Sequence, residues 1–338
     1  MKNNRYIFVI FISLIVKVLQ AQDIHFTQFN YVPLSVNAAQ TGLFEGSYRI
    51  GGLYRGQWFG GVQNGFQTPI LYVDLPISGF RKQDWIGIGI SGHRDAAGRA
   101  ALTNSLLGIN AAYHIGLDKK QNQVLSIGFS AGFAQRNIDR TKLTFQDGII
   151  SGGNSVDLNA INTQNKSYTD FNIGLNFRSK ASKTNTVNVG LSAEHFLSPQ
   201  NNLISTGQLG SLPLRLNVYG SMDMILNKKK TLYFYPAVIA RIQSGSGAEI
   251  MAQAVAGLKL DPNKDMILKG GLGYRVGDAA QAILGIEIGS LRAGLAYDIT
   301  LNQLRSSNVK DGFEIAVGYI GRIFRTPQPP RVILCPKY

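Results

Sequence analysis

Between Leu258 and Ile320, apolar residues alternate with polar or small ones in segment after segment. Ala280, Ala282, Leu284, Ile286 and Ile288 occupy every second position, with Gln281, Gly285, Glu287 and Gly289 among the residues between them. The next segment sets Leu291, Ala293, Leu295, Tyr297 and Ile299 against Arg292, Gly294, Ala296 and Asp298. A strand points successive side chains to opposite faces, so each segment has one apolar face and one face of charges and glycines. In a soluble sandwich the apolar faces would have to cover each other. In a transmembrane barrel they face lipid, and the polar faces line the lumen.

Fourteen segments read as strands, near 47–58, 68–77, 84–93, 102–116, 122–135, 168–178, 185–196, 212–226, 231–242, 249–260, 265–275, 279–289, 291–300 and 312–321. Outward sets are plain in Leu107, Ile109, Ala111, Tyr113 and Ile115, and in Leu125, Ile127, Phe129, Ala131 and Phe133. The connections after even-numbered segments are short and mostly Lys-rich, as in Leu117–Gln121, Ser179–Thr184 and Asn227–Lys230. Those after odd-numbered segments are mostly longer and richer in Gly, Asn and Ser, as in Arg136–Ser167 and Leu197–Ser211. Outer-membrane barrels show that asymmetry, with short turns in the periplasm and long loops outside, whereas a sandwich gives no reason for it. The sequence therefore predicts an all-β fold, a transmembrane antiparallel β-barrel of about 14 strands over 47–321 in the outer membrane.

The first 21 residues read as a signal peptide, cleaved after Ala21. Lys2 and Arg5 precede an apolar run from Tyr6 to Val16, too short to span a bilayer as a helix. No Cys follows the cut, so a lipoprotein signal is not expected. Residues 22–46, irregular and containing Pro33, are expected to form a periplasmic segment or a plug, and 322–338 a C-terminal tail. The single Cys335 cannot make an internal disulfide. Without Lys2, Arg5 and Lys17 the chain holds 31 basic and 20 acidic residues, a net charge of +11. No Arg-rich helix accompanies that charge, so nucleic acid is not the expected partner. Lipopolysaccharide phosphates, peptidoglycan or an acidic periplasmic protein fit better.

The short turns carry Arg81, Lys82, Lys119, Lys120, Lys180, Lys183, Lys228, Lys229, Lys230 and Lys264, against Asp84, Asp118, Asp261 and Asp265 at their edges. Such a collar keeps turns out of lipid, and it also offers an anionic partner a surface, with Lys228, Lys229 and Lys230 at its centre. The longest loop holds Phe145, Ile149 and Ile150, an apolar anchor for a partner or a lid packed on the barrel mouth.

Motifs for chemistry fail in context. Gly87-Ile88-Gly89-Ile90-Ser91-Gly92 matches a dinucleotide fingerprint in letters, but no helix pattern follows, and its glycines suit bending of a strand. His93-Arg94-Asp95 imitates a kinase loop with Ala100 where Asn is needed. His25, His93, His114 and His195 lack metal-ligand spacing. His114 shares a face with Asn110 and Asn104, which keeps a barrel hydrolase open as a third reading without naming a nucleophile. No catalytic, cofactor or metal residue is assigned.

The inward set contains Arg49, Arg55, Asp74, Arg215, Asp223, Lys269, Arg275, Glu287, Arg292, Asp298 and Glu314. Charges of both signs in a narrow lumen should pair, and Arg275, Glu287, Arg292 and Asp298 are expected to form one network. A closed or plugged barrel is favoured over an open pore.

Several stretches resemble the PorP/SprF family of type IX secretion outer-membrane proteins. They include Gln22-Asp23, Phe26-Thr27-Gln28-Phe29, Tyr54-Arg55-Gly56-Gln57-Trp58, Ala112-Tyr113-His114 and Gly190 to His195. Gly273-Tyr274-Arg275-Val276-Gly277-Asp278-Ala279 and Cys335-Pro336-Lys337-Tyr338 continue the resemblance. Val32-Pro33 stands where the family often has Asn-Pro, and Asn37-Ala38-Ala39 where it often has Asn-Pro-Ala. The resemblance implies a non-enzymatic barrel for secretion or surface anchoring of an adhesin or other large cargo in gliding or secreting bacteria. It also implies partnership with the secreted surface protein and with periplasmic machine and peptidoglycan-binding proteins. The alternative, from the transport class, is a channel for small solutes.

Overall fold

The computed structural model describes residues 24–58, 65–78, 83–98, 102–143, 146–150, 152, 165–201, 211–244, 247–261, 265–301 and 311–323. Fourteen strands run through them: β1 (Tyr48–Gln57), β2 (Phe66–Ser78), β3 (Trp85–Ala97), β4 (Leu102–Gly116), β5 (Gln123–Asn137), β6 (Asn165–Lys180) and β7 (Asn185–Glu194). They continue as β8 (Arg215–Ile225), β9 (Leu232–Gln243), β10 (Gly247–Lys259), β11 (Met266–Arg275), β12 (Ala279–Ile288), β13 (Leu291–Thr300) and β14 (Gly312–Gly321). Each pairs antiparallel with its sequence neighbour, and β1 pairs with β14 from Tyr48↔Gly321 to Gln57↔Gly312. The sheet therefore closes on itself and leaves no free edge. No helix among the described residues is long and apolar enough to cross a membrane, and the strands supply the crossing.

Closure inverts the usual burial. Leu71, Leu107, Ile109, Leu272 and Leu284 are among the exposed large apolar residues on the outside. Arg49, Arg55, Asp74, Arg275, Asp298 and Glu314 are buried on the inside. An apolar outer belt with charges within is stable only when lipid covers the belt.

The connections at one rim are short, down to Gly289 and Ser290 between β12 and β13, with Gly289 at φ 56°. The other rim is mixed. Long connections follow β5, β7 and β13, but only Val276, Gly277 and Asp278 join β11 to β12. The loop after β5 contains a 3₁₀ turn at Arg140–Lys142 and a short helix, Gln146–Ile150. The first four strands after β3 differ in height: β4, β5 and β6 span 15 or 16 residues, and β7 only 10.

Before β1, the chain lies inside the barrel. It makes a 3₁₀ turn at Phe29–Tyr31, a one-turn helix α1 (Pro33–Val36) and a second 3₁₀ turn at Ala38–Gln40. Proline opens α1 because it presets the helical φ and has no N–H to leave unpaired. Asn37 ends it and, through its side chain, accepts from the Ala39 N–H to start the next turn. Phe29 and Val36 pack against Tyr219, Ala237, Ile239 and Met251 of the wall. Phe26 and Val32 pack against Leu53, Ile70 and Ala316 on the other side.

Candidate functional site

The interior segment is held at two polar anchors. At the first, the Thr27 hydroxyl donates to Asp298 at 2.6 Å and accepts from Arg275 at 3.0 Å and Gln281 at 3.1 Å. The Thr27 carbonyl accepts from the Gln253 amide at 2.6 Å. The backbone N–H groups of Thr27 and Gln28 each donate to one oxygen of Glu314 at 2.7 Å. Arg55 bridges the carboxylates, 2.5 Å from Glu314 and 3.0 Å from Asp298. Arg55 also donates to the Thr27 hydroxyl at 3.5 Å, so six strands converge on one threonine. Cations and N–H donors surround both carboxylates, which offsets the cost of burying them.

His25 sits beside this anchor, 3.4 Å from Arg55 and 3.5 Å from Glu249. Burial pulls its pKa from the ordinary 6.5 to about 3; the pull of Glu249 is offset by Arg275, Arg55 and Arg241. The ring is therefore neutral at any working pH. Arg241 and Glu249 form an adjacent ion pair, as do Arg215 and Glu194, and Arg215 also donates to the Ile24 carbonyl at 3.0 Å.

The second anchor lies toward the short-turn rim. Asp74 accepts two bonds from Arg49, at 2.9 and 2.7 Å, and one from the Gly42 N–H at 2.7 Å. Arg49 reaches on to the Gln40 carbonyl at 3.0 Å. Trp85 donates its indole N–H to the Gly42 carbonyl at 3.1 Å and stacks on His114 at 4.7 Å. His114 Nε2 lies 2.7 Å from the Thr41 carbonyl and Nδ1 2.7 Å from Ser126 Oγ. Since a carbonyl only accepts, Nε2 carries the proton and the Ser126 hydroxyl donates to Nδ1. His114 is thereby occupied in holding the segment, while Asn110 bonds to Ser91. The hydrolase reading loses the grouping it needed.

Between the anchors a row of small residues crosses the wall: Gly87, Ala112, Gly128, Gly174 and Ser192 are successive cross-strand partners. A Cβ on Gly87 would overlap the Thr41 carbonyl, one on Gly128 the Ala38-Ala39 backbone, and one on Gly174 the Asn37 side chain. Ser192 donates to the Val36 carbonyl at 2.7 Å, and Asn37 donates to the carbonyls of Leu175 and Leu191 at 2.9 and 3.2 Å. The sequence pattern suits Gly87 to bending of the strand. Its lost side chain instead makes room for another stretch of backbone.

Of the charges expected in one lumen network, Arg275 and Asp298 meet at 3.2 Å. Arg275 also pairs with Asp278 at 2.8 Å. Glu287 and Arg292 do not join them: Glu287 pairs with Lys269 at 2.7 Å, and Arg292 lies over the Tyr31 ring at 5.8 Å. The cause is height in the barrel. Arg275 stands opposite Ala279, and Glu287 lies eight residues farther along β12, about 26 Å away at the usual strand rise. Lys228, Lys229 and Lys230 are exposed in the β8–β9 turn. Ile149 and Ile150 are exposed in the short helix after β5, so neither packs as a lid among the described residues. Phe145, Arg81, Lys82, Lys264, Cys335 and the segment 1–23 lie outside the described residues. Sequence reading missed Thr27, Asn37, Arg241, Glu249 and Gln253; the polar inward positions of β10 were the one available signal for the last two.

The barrel resembles solved outer-membrane barrels in fold. The Ralstonia pickettii toluene transporter TbuX aligns with a TM-score of 0.51 at 10% identity, covering 87% of this chain and 94% of that one. The CymD monoaromatic hydrocarbon channel aligns with a TM-score of 0.50 at 9% identity, covering 87% and 93%. No curated protein matches the chain in sequence. The family model for the type IX secretion system membrane protein PorP/SprF matches residues 18–319, almost the whole barrel and the segment inside it. The chain belongs to that family: it is a PorP/SprF-type outer-membrane β-barrel.

Proposed function

We propose that this chain is a non-enzymatic, plugged barrel of the type IX secretion and gliding machinery. Its role is to support secretion or surface anchoring of a partner adhesin or other large cargo. The observation that carries this reading is the occupied lumen. Side chains from β1, β2, β4 and most later strands hold residues 24–42 inside the barrel, as a plug would be held. A small-solute channel needs a continuous water path past these residues.

In this reading the short turns face the periplasm and the long connections face outward. Lys228, Lys229 and Lys230 meet anionic surfaces of periplasmic machine or peptidoglycan-binding proteins. Phe145, Ile149 and Ile150 present apolar groups to the secreted surface protein. Signal-peptide cleavage after Ala21 delivers the chain to this compartment.

The test is a strain lacking the chain. Loss of surface display of large cargo, with small-solute uptake unchanged, supports the secretion role. Normal display with impaired solute uptake supports the channel.

A further inference from the structure

A cavity of about 1040 Å³ lies below the plug. Its lining includes Lys120, Asn122, Ser182 and Lys183, so its mouth is at the short-turn rim. Phe29, Tyr31, Phe44 and Glu45 of the interior segment also line it. Besides Arg49, which Asp74 engages, the lining holds Lys120, Arg178, Lys180, Lys183, Lys269 and Arg292. Only Glu45, Asp223 and Glu287 oppose them.

The cations are unequally satisfied. Lys180 lies 2.5 Å and Arg178 4.0 Å from Glu45, and Lys180 holds that carboxyl below its ordinary pKa. Lys269 meets Glu287 and stands 3.8 Å over the Tyr235 ring. Lys120, Lys183 and Arg292 form no ion pair among the described residues, and Arg292 Nε is buried without a hydrogen-bond partner among them. A buried donor left unmet is costly, and a bound acceptor would relieve that cost.

The rest of the lining narrows the ligand. Tyr233 and Tyr235 stack at 6.2 Å, with Met222, Val255 and Ile267 also in the lining, so an apolar component is matched as well as a charge. Asp223 and Glu287 oppose a densely charged polyphosphate more than a segment with spaced carboxylates, and they are suited to accept from peptide N–H groups. β14 ends at the same rim, but the residues that follow Ile323 include Arg325, Arg331 and Lys337 and no acidic side chain. Their side-chain charge has the wrong sign for this lining.

We propose that this vestibule binds an extended acidic polypeptide segment that enters from the periplasm. Carboxylates of the segment meet Lys183 and Arg292, and its apolar side chains rest on Tyr233 and Tyr235. The proposal deepens the secretion reading, on which it rests only for which rim faces the periplasm.

The test uses the full chain in detergent and a fluorescent peptide alternating Glu and Leu, with a Gln-Leu peptide as comparison, read by anisotropy at low salt. The Glu peptide should bind and the Gln peptide should not. Lys183→Gln with Arg292→Gln should weaken binding about tenfold. Arg292→Lys should restore part of the loss, and Lys166→Gln, on the other half of β6, should change nothing. If Arg292→Gln loses heat-modifiable migration, Lys120→Gln with Lys183→Gln at the mouth takes its place. Equal binding of the two peptides, equal affinity in the variants, or binding of soluble peptidoglycan fragments in place of the Glu peptide would overturn the proposal. Lost cargo display in the deletion strain together with no peptide binding would sink the site and leave the secretion role standing.

Discussion

Replacing Thr27 by Val removes one hydroxyl and keeps the shape of the side chain. In the docked segment that hydroxyl donates to Asp298 and accepts from Arg275 and Gln281. Asp298 would keep Arg55 and Arg275, and Arg275 would keep Asp298 and Asp278. Gln281 would keep only the Met251 sulfur, 3.0 Å from its amide nitrogen, and contact with Gln253. A hydrogen bond to a charged group is worth about 1.5–3 kcal/mol, and the surviving partners hold the total loss to about 2–3 kcal/mol. Docking of the segment should weaken about 30- to 150-fold. Hydrogen exchange at the amides of residues 27 and 28 reads this directly, because both donate to Glu314 only in the docked state. Their exchange should speed up by that factor while amides of β4 and β5 stay unchanged. Exchange within about threefold of the parent at both amides would refute the view that this hub holds the segment.

Four further outcomes follow from the same geometry. Gly174→Ala should displace Asn37 and cost docking about 2 kcal/mol, whereas Gly270→Ala, with nothing within 4 Å, should be near neutral; thermal melts of both variants check this. Glu287→Ala should strand Lys269 rather than Arg275 and cost less than Glu314→Ala, which removes the acceptor of two backbone amides and of Arg55; urea unfolding in detergent ranks the two. His25 has a docked pKa below its free value, so it adds stability above pH 6.5 that is lost as pH falls toward 3; docking should be about 2 kcal/mol weaker at pH 5 than at pH 7.5, and His25→Gln should flatten that profile. Lys228, Lys229 and Lys230 replaced by Gln should leave barrel migration intact and weaken capture of periplasmic machine proteins; capture unchanged at low salt would remove the collar as a contact.

The wall was legible in the sequence because period-two alternation is local. β4, β12, β13 and β14 begin and end within a residue of where the pattern puts them. Arg49, Arg55, Asp74, Arg275, Asp298 and Glu314 were placed inward by parity alone, and all are buried. Their partners were not legible. Thr27 lies 271 residues from Asp298 and 287 from Glu314, and nothing in its own neighbourhood marks it as a hub. The expected link of Arg275 to Glu287 failed because parity gives the face of a strand and not the height at which a charge sits. Gly128 and Gly174 signal small size without saying what fills the space. Asn37 supplies that content only once the chain has folded back inside.

The occupied lumen is tested most directly by single-channel recording in planar bilayers, comparing the full chain with a variant lacking residues 24–41. The full chain should pass almost no current, and the shortened one should open a steady pore, since the wall closes through β1–β14 pairing without the segment. Steady conductance of equal size from both would contradict a plugged barrel and return the chain to the channels.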